Sequence, residues 1–89
     1  MHIEIKKFGE LLISRPAGRE AFLAAKAYTL PAAGATETIT LDFAVVNVLS
    51  PSWADEFLSA LRTLYPGTKL SCVNTSNPSV AATLQIPGF

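Results

Sequence analysis

The chain has 89 residues, 49% of them hydrophobic and only 16% charged, which suits one domain over residues 1–89 built on a single core. Seven basic and seven acidic residues cancel without forming a run of like charge, so the basic stripe that a nucleic-acid partner requires is missing. No apolar stretch approaches the roughly 20 residues that cross a bilayer, and Met1-His2-Ile3-Glu4 does not open like a signal peptide, so a cytoplasmic location away from the membrane is expected.

In chain order, His2-Ile3-Glu4-Ile5 alternates and Leu11-Leu12-Ile13 is continuously apolar, with a break at Gly9-Glu10; a hairpin or a bent strand pair is expected over residues 2–14. Ser14-Arg15-Pro16 opens a helix, since proline is tolerated in a first turn. The Ala-rich run from Arg19 to Leu30 continues it until Pro31 and Gly34, and residues 31–37 form a connection. Ile39, Leu41 and Phe43 then share one face of a strand, and the apolar run Ala44 to Leu49 reads as central sheet plus the turn that leaves it.

Ser50-Pro51-Ser52 is a strong helix start, with Ser50 as N-cap and Pro51 in the first position, and Asp55 and Glu56 complement the positive end of the helix dipole. Ala54, Phe57, Leu58, Leu61, Leu64 and Tyr65 make one apolar face of that helix, which Pro66-Gly67 ends. Lys69 to Val73 reads as a strand. Asn74 to Pro78 is a turn that caps a short last helix, Ser79 to Gln85, and Pro87-Gly88-Phe89 is a loose end. Strand–helix alternation after the N-terminal strand pair makes the fold class α/β: about a four-stranded mixed sheet, two main helices and a short C-terminal helix.

Residues able to carry chemistry are few. The single cysteine, Cys72, sits within a strand and reads as a small buried hydrophobe; one histidine, His2, at a terminus expected to be mobile, supplies neither a metal set nor a catalytic triad. No cofactor is expected, and an enzyme ranks last among the function classes. Asp42, mid-strand among apolar neighbours, needs a hydrogen-bond partner, for which nearby backbone N–H groups suffice. Arg15 and Arg19, near a helix start, are candidates for contact with an anion. Trp53 has two roles open to it: cover at the edge of the core, or a binding anchor at the entrance of the second helix.

The block Leu41 to Glu56, with Leu41-Asp42-Phe43 on a strand and Ser50-Pro51-Ser52-Trp53-Ala54-Asp55-Glu56 opening a helix, resembles the STAS-like domains of unknown function found in bacteria. Phe8-Gly9 followed by Ser14-Arg15 and Gly18 is similar to the N-terminal half of that family. More distantly the chain resembles the anti-sigma-factor antagonists, in which a serine at a helix N-terminus is phosphorylated to switch partners. Their aspartate falls on Ser50, their phosphoacceptor on Pro51, their second serine on Ser52 and their glycine on Trp53. Pro51 accepts no phosphate, so only Ser52 or Ser50 is left for that role, with Ser52 preferred.

The resemblance implies a non-catalytic interaction or regulatory module in bacterial partner-switching signalling. Its partner-binding residues would be Ser50, Ser52, Trp53, Asp55 and Glu56, and its partner a protein such as a histidine-kinase-like ATPase, with a homodimer also open. The alternative from the residues is a sensor of small ligands or nucleotides that uses the helix N-termini at Ser14 and Ser50 as anion sites.

Overall fold

Three strands far apart in sequence lie side by side in the computed structural model, which describes residues 1–28, 30 and 38–86. They are β1 (His2–Glu4), β3 (Thr38–Asp42) and β5 (Lys69–Val73), in the order β1-β3-β5 with both pairings parallel. A second ladder joins β2 (Leu11–Leu12) to β4 (Val48–Leu49), also in parallel. The sheet therefore differs from the expected four-stranded mixed one: among the described residues five short strands form two parallel sheets.

The first correction concerns residues 2–14. The two N-terminal pieces do not pair with each other, because Ile5–Phe8 forms one turn of 3-10 helix and Gly9 adopts φ 121, a conformation that glycine reaches without a steric penalty. The chain thus continues onward instead of reversing. A second correction falls on the run 44–49, of which only Val48–Leu49 is strand, while residues 44–47 form a turn ahead of it. The Asp42 carboxylate accepts a hydrogen bond from the Ala44 N–H at 2.9 Å and draws the backbone into a turn. Val46 drops into the core while Val45 is turned out to solvent at φ 73. Both strands of the β1–β3 ladder leave it at the same level, and their continuations meet again as β2 and β4, one residue out of the original offset.

Parallel neighbours require crossovers, and the helices supply them. Helix α1 spans Arg15–Tyr28 and α2 spans Pro51–Leu64, and the two pack against each other. A short α3 (Pro78–Leu84) begins at Asn77, whose side chain accepts from the N–H groups of Ser79 and Val80. The expected stops of the first helix and the connection at 31–37 lie outside the described residues, as does the end at 87–89.

Ile3, Leu12, Ile39, Leu41, Leu49, Phe57, Leu61 and Val80 form the centre of one buried cluster. Strand alternation sets Ile39 and Leu41 toward the helices, leaving Thr38, Thr40 and Asp42 on the opposite face, beside His2, Glu4, Lys69, Ser71 and Val73 by register. Where β4 has no further strand beside it, α3 substitutes side chains. Leu49 N–H donates to Ser79 Oγ at 3.1 Å, and Thr83 Oγ1 donates to the Leu49 carbonyl at 2.6 Å.

Cys72 corrects a third expectation. It lies on the helix-facing side in register with Leu41, but β5 is an edge strand and the thiol is exposed. It stands at the rim of a cleft of about 210 Å³ with Leu58, Arg62, Leu70, Thr75 and Leu84, whose walls push the thiol pKa up by desolvation.

Candidate functional site: the entrance of the second helix

Ser50 is extended at φ −91 and ψ 155, and its hydroxyl accepts from the Trp53 N–H at 3.2 Å, which makes it the N-cap that the sequence predicts. The same hydroxyl donates to the Ile13 carbonyl, and the Ser50 N–H donates to the Leu12 carbonyl at 2.8 Å. The cap thus stitches α2 to β2, and its oxygen is engaged both as donor and as acceptor. Ser52, one residue inside the helix, is exposed.

Of the two roles open to Trp53, the structure has the buried one. The indole is 2% exposed and stacks on Phe57 with ring centroids 4.8 Å apart and planes at 16°; Phe8 lies 6.5 Å away. Trp53 is therefore part of the core beneath the entrance and presents no anchor to a partner. Exposed apolar surface comes instead from residues that the sequence analysis passed over: Ile13, whose carbonyl holds the cap, is 54% exposed, and Leu11 is 63% exposed. The available signal was the length of Leu11-Leu12-Ile13, since a strand in a two-layer fold turns every second side chain outward.

Asp55 and Glu56 are brought together with Arg15. Arg15 Nη1 donates to Asp55 Oδ2 at 2.7 Å and to Glu56 Oε2 at 3.1 Å, and Ser59 Oγ donates to the other Asp55 oxygen at 3.3 Å. The Arg15 hydrogen bond is the largest influence holding the Asp55 carboxyl below the ordinary aspartate range, and the two acids together raise the guanidinium further. Arg15 thus meets anionic groups, but they belong to its own chain. Arg19 is exposed one turn further along α1 and does not join this cluster. At the other helix start named as an anion site, the Ser14 hydroxyl accepts from the Ala17 N–H at 3.2 Å.

A second polar cluster escaped the sequence reading. His2, expected at a mobile end, is in β1, and its Nε2 lies 3.1 Å from Asp42 Oδ2. Asn74 Nδ2 donates to Asp42 Oδ1 at 2.8 Å. With Ala44 N–H as a third partner, Asp42 is held below the usual carboxylate range, chiefly by the Asn74 bond, then by the Ala44 amide and by His2. The expectation of a backbone partner for Asp42 is met by Ala44, but the side-chain partners come from β1 and from the turn after β5, 40 and 32 residues away in sequence. Among the described residues no three His, Cys, Asp or Glu side chains gather as a metal site, and no helix is long and apolar enough to cross a membrane.

The family model of the STAS-like domain of unknown function (DUF4325) matches residues 26–80, more than half of the chain. That span takes in β3, β4, α2 and β5 with the whole Leu41–Glu56 block, and leaves out Phe8-Gly9 and Ser14 to Gly18. No curated protein and no solved structure matches the chain.

Proposed function

The chain belongs to the STAS-like domain family of unknown function, and we propose that within it this protein is a non-catalytic docking module in bacterial partner-switching signalling. Its docking surface is the entrance of α2: Ser52, Asp55 and Glu56, edged by Arg15 and by the exposed Ile13 and Leu11. Its partner is a protein of the histidine-kinase-like ATPase type.

The observation that supports this reading is the position of Ser52. It is exposed at the positive end of α2, and Asp55 and Glu56 follow at helical spacing on the same side, joined to α1 through Arg15. A phosphate on Ser52 would add about −1.5 to −2 charges and compete with both acids for the Arg15 guanidinium. Charge at one hydroxyl is thereby coupled to the α1–α2 contact and to any partner lying across it. Trp53 takes no part in the docking; it holds the helix that carries it.

Titration of the purified protein against histidine-kinase-like ATPases from the same genome tests this reading, with Ser52→Glu and Ile13→Asp as variants. Both replaced side chains are exposed, so folding should survive. The expected result is saturable binding by the native chain, weakened at least about tenfold in each variant. Equal binding by all three proteins would overturn the assignment of this surface, and no binding by the native chain would overturn the partner class.

A further inference from the structure

At the carboxyl ends of β3 and β5 two loops, 43–47 and 74–77, face each other across a cleft of about 400 Å³, lined among others by Val45, Asn47, Asn74, Ser76 and Asn77. That volume lies within the range of small-molecule sites. The carboxyl ends of parallel strands are where open α/β sheets bind ligands, because successive loops converge there and leave polar groups without strand partners. This cleft is separate from the α2 entrance and does not depend on the docking function.

Each lip carries a non-glycine residue in the left-handed region, Val45 at φ 73 and Asn74 at φ 55. For asparagine the conformation is common; for a β-branched valine it is strained. The strain is held in place by the Ala44 N–H bond to Asp42 and by Val46 N–H donating to the Phe43 carbonyl at 3.2 Å. Its result is an apolar side chain left 58% exposed at the mouth of a polar cleft.

Among the described residues the lining carries no charged side chain. Asn74 commits its Nδ2 to Asp42, which leaves its Oδ1 as an acceptor. Asn77 commits its Oδ1 to the N–H groups of Ser79 and Val80, which leaves its Nδ2 as a donor. Asn47 and the Ser76 hydroxyl, both from the loops themselves, each add donor and acceptor capacity. Asp42 accepts from Ala44 and Asn74 and pairs with His2, and it is not itself among the lining residues.

We propose that this cleft binds the hydrogen-bonding edge of a nucleobase, where a donor stands beside an acceptor, with Val45 as the apolar surface against its ring. Nothing in the lining favours a phosphate, so recognition resides in the base, and a nucleoside binds as well as its monophosphate.

The test is a ¹H–¹⁵N titration of the full chain with adenosine, guanosine, cytidine and uridine at millimolar concentration, then with the monophosphate of the best. Saturable shifts are expected in the amides of 43–47 and 74–77 for at least one nucleoside, with Kd within about threefold for its monophosphate. The double variant Asn47→Ala, Ser76→Ala replaces side chains that hold no hydrogen bond among the described residues, so it should keep its Tm and lose at least about tenfold in affinity. The proposal is overturned by saturation with none of the four, by shifts centred elsewhere, by binding that requires phosphate, or by undiminished binding in the double variant.

Discussion

Gly18 of α1 lies directly against the backbone of Trp53 in α2: a methyl group at Gly18 would sit 2.8 Å from the Trp53 carbonyl oxygen and 3.2 Å from both Trp53 Cα and Glu56 Cβ. The two helices cross there, and the absence of a side chain sets how closely they approach. Two effects compete in Gly18→Ala. Alanine gains about 1 kcal/mol of helix propensity over glycine, while overpacking against backbone that cannot swing aside costs about 1–3 kcal/mol. The clash involves main-chain atoms, so it should win, and the variant should unfold at lower urea with an unchanged m-value. A rise in the midpoint would contradict the close crossing.

Trp53→Ala should act on stability before it acts on any partner. Truncating a buried aromatic costs about 3–5 kcal/mol, and here it removes the ring stacked on Phe57. For a domain of this size that is a large share of total stability. Thermal unfolding by circular dichroism should show a strongly lowered Tm or no cooperative transition.

The Arg15 cluster should behave as a surface pair. Arg15 and Asp55 are both about half exposed, where screening and side-chain entropy cancel most of the attraction. Arg15→Gln should lower the Tm slightly at low salt, and the difference should vanish near 1 M salt, where the Debye length is about 3 Å. A loss that persists in high salt would mean that Arg15 stabilises by packing.

Asp42 should contribute to the acid limb of the stability curve. Its pKa is depressed in the folded protein, so its contribution is present above the unfolded value of about 3.9 and is lost as pH falls through the lower folded value. Asp42→Asn removes that proton linkage, and its stability should fall less steeply than the native protein's between about pH 5 and pH 2. Asp55, depressed in the same direction, keeps part of the slope in the variant. Parallel acid limbs would show that the Asn74, Ala44 and His2 bonds do not hold the carboxylate.

Val45→Gly should stabilise the chain. A non-glycine residue at φ 73 carries about 1–3 kcal/mol of strain, glycine adds about 0.5–1 kcal/mol of unfolded-state entropy, and the exposed side chain forfeits little packing. The net gain is about 1 kcal/mol, visible as a higher Tm. If the nucleobase cleft uses Val45 as its apolar wall, the same variant should bind nucleosides more weakly while being more stable.

Much of this was legible along the chain. The N-cap at Ser50 with Pro51 behind it, the apolar face from Ala54 to Tyr65 and the cap at Asn77 are local features in which a side chain bonds or packs within a few residues, so sequence spacing carries them. The pairing of Arg15 with Asp55 and Glu56 and that of His2 with Asp42 span about forty residues, and no local spacing encodes them. The entrance of α2 was found as a location, but its exposed apolar members, Ile13 and Leu11, were hidden in a strand whose outward face depends on what covers it.

The sequence by itself determined the α/β class, the helices α1, α2 and α3 and the family, because helix periodicity, capping and the Leu41–Glu56 block are written in consecutive residues. Only the tertiary structure decided that β1 and β2 pair in parallel with β3 and β4 rather than with each other, that Trp53 is core and Cys72 is not, and that Val45 turns outward. The physical reason is shared: which side of a strand or helix meets water depends on long-range neighbours, and Gly9, Asp42 and the edge position of β5 redirect the chain in ways that apolar content alone does not specify.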